Sequence, residues 1–283
     1  MRIPAGVIAV RVAFVVSVLC VAAAVATLLA LLLSPPLLGA LRTLAENAWW
    51  FRYNEPASGS AAALFRIGAA AAAALIAGAA AFRGLSLFRK GGSPIAPFIV
   101  LFLFSLSLEC LRAGMALLYA MDGSIAAGVF LTRVVYWGRF AGLLALLIAS
   151  LYCVDMKYRR FGVLIAVDFL VSFAITAYIP IDRTIFLAQL TWKLGDEQGV
   201  WFVNIAIGVL IVLTGLLGAA TRRDPRMLIV AGGFLLLLAA REVLFFAGSV
   251  ALLAGGLGAL VAGITLVLGA LSVFYRAGPA SAA

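Results

Sequence analysis

The chain has no histidine, 11% charged residues and only 11 acids among 283 positions. Each scarcity removes a class of chemistry. Without histidine, haem ligation by that residue, H-E-x-x-H zinc hydrolysis and Ser-His catalysis are closed. Cysteine is nearly as rare. Cys20, Cys110 and Cys153 lie in or at the end of apolar runs with no C-x-x-C spacing, so they read as small core residues. The lysines, Lys90, Lys157 and Lys193, all fall in loops, which excludes a retinal Schiff base in its usual form. No apolar segment holds two aspartates, so the magnesium clusters of membrane phosphotransferases and the paired aspartates of intramembrane proteolysis are absent. Neither a metal nor a cofactor is expected.

What the chain does have is apolar surface: 66% of residues are hydrophobic and the mean hydropathy is +1.20. Soluble domains are about half apolar and a quarter charged, so here lipid must solvate the excess. A helix needs about 20 apolar residues to cross the hydrocarbon layer. Eight segments qualify: 10–34, 61–82, 95–121, 124–152, 162–181, 200–221, 226–252 and 256–275. Between them lie turn signals such as Ser34-Pro35-Pro36, Asp122-Gly123 and Arg222 to Arg226. The apolar stretch 226–275 would be about 75 Å long as one helix, so it must fold back, and Gly255-Gly256 is the turn expected there. The first segment continues past Ala24-Val25-Ala26 to Leu33, too long for a signal sequence, and reads as a retained helix.

The net charge of +10 sorts by compartment. With an even number of spans and both termini cytoplasmic, the inner side receives Arg2, Arg11, Arg83, Arg89, Lys90, Lys157, Arg159, Arg160, Arg222, Arg223, Arg226 and Arg276, against Asp155 and Asp224. The outer loops hold four basic residues against six acids. This is a strong positive-inside pattern for a multi-pass protein of the cell (plasma or inner) membrane, and it makes the basic total a topology signal rather than a footprint for nucleic acid.

The fold expected is therefore an all-α polytopic membrane protein, a bundle of eight transmembrane helices. Two outer segments occupy equivalent slots: 36–53, with Leu37, Leu41, Leu44 and Trp49 at helical spacing, and 182–195, with Phe186, Leu190 and Leu194 on one face and Gly195 as a stop. Both read as interfacial amphipathic helices. Spans three and seven each carry a glutamate near the middle, Glu109 and Glu242. Together these matches imply two four-helix repeats, 1–160 and 161–283, related by an axis along the membrane normal.

Five cations, Arg66, Arg112, Arg133, Arg139 and Arg241, and three acids, Glu109, Asp168 and Glu242, fall within spans. At about 2.5 to 3.5 kcal/mol each near a helix centre, such residues should face the bundle or a cavity. Glu109 and Arg112 are spaced i,i+3 and so placed to neutralise each other. Glu242 is expected to meet Arg139 or Arg112, and Arg241 to meet Asp168 or Glu109. Asp168, Ser172 and Thr176 make a polar stripe, while Arg133, Tyr136, Trp137 and Phe140 share a face of span four, a mixture suited to an anionic or planar ligand. The excess of cations over anions, with Arg66 placed to snorkel to the outer surface, calls for a bound anion.

These features rank three functions. First comes a carrier or binder of a small anionic solute or an anionic lipid or amphiphile, with Glu109, Arg112, Arg133, Tyr136, Trp137, Arg139, Asp168, Arg241 and Glu242 as ligand-binding residues in a cluster near the bilayer midplane. Second is a membrane-embedded sensor or assembly subunit whose charge pairs are structural. An enzyme is the least supported class. The expected partners are the lipid bilayer, an anionic small molecule or lipid, and a membrane protein docked on the basic cytoplasmic loops.

Overall fold

The computed structural model describes residues 5–40, 59–91, 93–154, 156, 160–187, 190–222, 224–247 and 249–276. Within them eight helical stretches are long and apolar enough to cross a bilayer, which makes the chain a multi-pass helical membrane protein. In lipid each backbone N–H and C=O must be bonded within its own segment, so apolar runs of this length become helices. Spans one and two are α1 (Ala5–Leu33) and α2 (Gly59–Gly91). Span three is divided into α3 (Ala96–Glu109) and α4 (Arg112–Ala120). Spans four to eight are α5 (Ile125–Cys153), α6 (Phe161–Tyr178), α7 (Glu197–Arg222), α8 (Pro225–Phe246) and α9 (Val250–Arg276).

The central post of the bundle is α3, in which every residue from Ala96 to Glu109 is buried. Around it pack α1, α2 and α5; α8 and α9 pair with each other, α7 bridges α5 and α8, and α6 lies on the outside of α5. Small residues set the closest approaches. A Cβ on Gly142 of α5 would overlap the Ser105 hydroxyl of α3, and one on Gly233 of α8 would lie 2.5 Å from Val267 Cγ2 of α9. Such contacts are how helices associate in lipid, where apolar surface alone gives no drive to pair.

Most breaks fall where turn chemistry puts them. Asp122 takes a left-handed φ of 48° and the Gly123 N–H donates to the Leu118 carbonyl at 2.7 Å, closing α4 with a Schellman-type stop. The Asp224 carboxylate accepts from the Arg226 N–H at 2.9 Å, with Pro225 in the first turn of α8.

Three expectations are corrected. The last hairpin turns between the end of α8 at Phe246 and the start of α9 at Val250, not at Gly255-Gly256, which lie inside α9. Glycine tolerates a turn without forcing one; here Ser249 supplies the start signal, its hydroxyl accepting from the Leu252 N–H at 3.3 Å. The segment 182–195 is a β-hairpin rather than a helix: β1 (Ile181–Leu187) pairs antiparallel with β2 (Thr191–Leu194), placing Asp182 opposite Lys193 and Phe186 opposite Trp192. Its every-fourth-residue spacing of Phe186, Leu190 and Leu194 satisfies period two as well as a helix, and Ile181, Thr184, Ile185 and Thr191 are β-branched. The hairpin is anchored on α5, with the Trp192 N–H donating to Thr132 Oγ1 at 3.2 Å. Finally, span three is interrupted. At Cys110 and Leu111 the ladder switches to i→i−3 bonds, Cys110 N–H to Ser107 O and Leu111 N–H to Leu108 O, while Cys110 Sγ reaches the Ala70 carbonyl of α2 at 3.1 Å. Of the other interfacial segment, residues 35–40 are helical and 41–53 lie outside the described residues.

Candidate functional site

Arg139 is the central residue of α5, and Gly138 and Gly142 bring α3 against it there. The interruption of span three lies at the same level, so Glu109, the last residue of α3, reaches both α5 and α8. Its two oxygens are divided. Oε2 accepts from Arg139 Nη1 at 3.3 Å and Oε1 from Arg241 Nε at 2.8 Å. Arg139 Nη2 then holds both oxygens of Glu242, at 2.7 and 2.8 Å. Glu242, Arg139, Glu109 and Arg241 thus form one chain of alternating charge across three helices, neutral in sum. The expected alternatives resolve to Arg139 for Glu242 and Glu109 for Arg241. Removing one member of such a chain strands a charge in lipid, at a cost of about 3–5 kcal/mol.

Arg112 does not neutralise Glu109. It turns to α8 and donates from Nη1 to the Phe245 carbonyl at 3.1 Å and from Nη2 to the Leu244 carbonyl at 2.9 Å. Arg66 is 3% exposed rather than snorkelled and donates from Nε to the Ala247 carbonyl at 3.0 Å. Both arginines therefore sit on the C-terminal end of α8, where the last carbonyls lack helical partners and the dipole is negative. Arg133 repeats the device on α6, donating to the Thr176 and Ala177 carbonyls at 2.6 and 2.9 Å. Three of the five membrane cations are thus met in part by the carbonyls of helix ends.

Around the cluster, Phe245 is sandwiched. The Arg139 guanidinium lies 3.8 Å and that of Arg112 5.1 Å from its ring centroid, and Tyr136 meets it edge-on at 5.9 Å. Trp137 belongs elsewhere: its indole N–H donates to the Phe169 carbonyl of α6 at 3.3 Å, beside Arg133. The face Arg133, Tyr136, Trp137 and Phe140 is therefore divided between two neighbours rather than gathered round one ligand. Asp168, 2% exposed, joins no ion pair among the described residues, and neither of its oxygens has a hydrogen-bond partner among them. Ser172 and Thr176 turn their hydroxyls to carbonyls of their own helix, Phe169 and Ser172 respectively.

One member of the charge chain is accessible. The Glu242 side chain is 32% exposed, whereas those of Arg139, Arg241 and Glu109 are 1%, 0% and 7%. Glu242 stands one turn before the end of α8 rather than at its middle, because the helix stops at Phe246. There it closes one end of a groove of about 410 Å3 between α7 and α8, lined by Trp201, Asn204, Ile205, Gly208, Val209, Val212, Leu213, Leu235, Leu238 and Ala239, with Leu143 from α5. Among the described residues, both the charge chain and the groove hold unsatisfied polar atoms. Arg241 Nη1 and Nη2, Arg139 Nε and Asn204 Oδ1 are buried with no hydrogen-bond partner. Sequence inspection missed Phe245, Trp201 and Asn204. Asn204, a lone amide in an apolar run, was the signal available for the groove. Among the described residues no group of His, Cys, Asp and Glu is placed to hold a metal ion.

The class that fold and cluster define is a polytopic helical membrane protein with a buried ion-pair chain that opens at one end. Comparison with protein-family models, curated proteins and solved structures finds no match for this chain.

Proposed function

We propose that the protein binds, or carries across the bilayer, a membrane amphiphile bearing an anionic group, with the apolar tail in the groove between α7 and α8 and the head at Glu242 and Arg139. The observation that carries this is the meeting of two features at one residue: Glu242 belongs both to the dry charge chain and to the wall of an apolar groove. A free polar solute would leave such a groove unfilled, whereas a lipid tail matches it, and a head group matches the unpartnered donors of Arg139 and Arg241. Both termini are cytoplasmic and the membrane is the plasma or inner membrane, on the positive-inside distribution of arginine. Division into units 1–160 and 161–283 belongs to the same proposal, supported by the convergence of Glu109 and Glu242 on a single arginine.

The test is to block the groove without touching the charges. Gly208 lines it, and a Cβ there meets nothing within 4 Å, so Gly208→Trp should fold and fill the space. Native mass spectrometry of the purified protein should show retained lipid in the wild type and its loss in the variant. Equal lipid retention in both defeats the proposal.

A second function, a sensor or assembly subunit whose charges are structural, is favoured by the dryness of Arg139 and Arg241. It predicts that Gly208→Trp leaves cellular activity intact while any break in the charge chain removes the protein from the membrane.

A further inference from the structure

The charged end of the groove is an acceptor, the Glu242 carboxylate. Glu242 is its only charged lining residue, and both carboxylate oxygens there already face a cation, Arg139. Asn204 lines the same groove, and its Oδ1 is a buried acceptor with no partner. Trp201 completes the end, 46% exposed and stacked on Phe246 at 5.1 Å, offering a ring face of the kind that attracts cations. A carboxylate, an unsatisfied carbonyl oxygen and an indole all favour a donor of positive charge, such as an ammonium with its three N–H groups. The unpartnered donors, Arg139 Nε and Arg241 Nη1 and Nη2, belong to buried arginines behind Glu242 that do not themselves line the groove.

We propose that the head group taken at this site is zwitterionic, with a primary ammonium on Glu242 and Asn204 and a phosphate on Arg139, as an amino-phospholipid would present. This rests on the groove being an amphiphile site, as argued above. The four-membered charge chain is neutral, so a purely anionic head would displace Glu242 from Arg139 and strand its carboxylate in apolar surroundings. A purely cationic head would add an unbalanced charge. A zwitterion opens the Arg139–Glu242 pair and closes two new pairs in its place, leaving the net charge unchanged. The apolar groove of about 410 Å3 commits the source to a lipid rather than a free amino-phosphate.

The experiment reconstitutes the full chain in nanodiscs holding phosphatidylethanolamine and phosphatidylglycerol in equal amounts, and reads the bound lipid by native mass spectrometry after mild delipidation. Phosphatidylethanolamine should be retained about tenfold over phosphatidylglycerol, as expected for one added charge-assisted bond. Glu242→Gln should bring that ratio near one. Because Glu242 is also part of the ion-pair chain, Asn204→Leu serves as a second variant outside it, and should lower the ratio by a few-fold. Retention of phosphatidylglycerol at or above phosphatidylethanolamine, lost in Gly208→Trp, overturns the zwitterion while leaving the groove as an amphiphile site. A preference for phosphatidylethanolamine unchanged by both Glu242→Gln and Asn204→Leu also overturns it. If Gly208→Trp alters retention of neither lipid, the groove itself fails and the zwitterion with it.

Discussion

Two grooves of nearly equal size cut into this bundle, about 410 Å3 between α7 and α8 and about 420 Å3 between α1 and α2. The second is lined by Ser17, Val18, Val21, Ala74, Leu75, Gly78, Ala79 and Phe82, with no charged residue among them. A gap of this kind between helices rich in small residues is what lipid tails fill without discrimination. The first groove differs at one end only, where Glu242 connects it to Arg139, Glu109 and Arg241. Volume and apolar lining therefore do not distinguish the two grooves. What distinguishes them is the charged end of the first, whose partners are already fixed in the protein behind it.

The sharpest way to break this comparison is to remove the arginine that both glutamates share. Arg139→Ala strands Glu242, leaves Glu109 to Arg241 alone, and should destabilise the protein by about 3–5 kcal/mol, seen as a lower unfolding midpoint in detergent. An unchanged midpoint would mean that the cluster holds no more than the charge-free groove does. A smaller effect is expected from Gly142→Ala, whose methyl would overlap Ser105 and push α3 away from α5 behind the cluster. Overpacking of this kind costs about 1–3 kcal/mol. Nothing lies within 4 Å of a Cβ on Gly78, so Gly78→Ala should shift stability by less than about 0.5 kcal/mol and leave the ratio of bound phosphatidylethanolamine to phosphatidylglycerol as in the wild type. A change in that ratio from Gly78→Ala would show the α1–α2 groove to be selective as well.

Much of this architecture was legible in the residues. Eight apolar runs of the right length gave eight spans, and the partners of Glu242 and Arg241 fell among the alternatives that spacing allowed. The failures share a cause. Arg112 and Glu109 are placed i,i+3 for a regular helix, but the ladder tightens between them and each turns to a different partner. In the segment before α7, a spacing of four could not separate strand from helix, and β-branching decided it. Formal charge was counted correctly, yet it left out helix dipoles. Arg66, Arg112 and Arg133 looked like surplus cations because the carbonyls that receive them carry no letter in the sequence.

The end of α8, where Arg66 and Arg112 meet the carbonyls of Leu244, Phe245 and Ala247, also bears on how the chain is made. Synthesis runs from the N-terminus, so when six spans have left the ribosome the bilayer holds Arg66, Arg112 and Arg139 with Glu109 as the only acid of the cluster. The exposed C-terminal carbonyls that receive two of these arginines, and the Glu242 that completes Arg139, all arrive with the seventh span. A chain stopped before that point lacks these acceptors, although the seventh span, which brings Arg241 together with Glu242, adds no net charge. These contacts of three arginines from spans two to four therefore close only once the seventh span has been made.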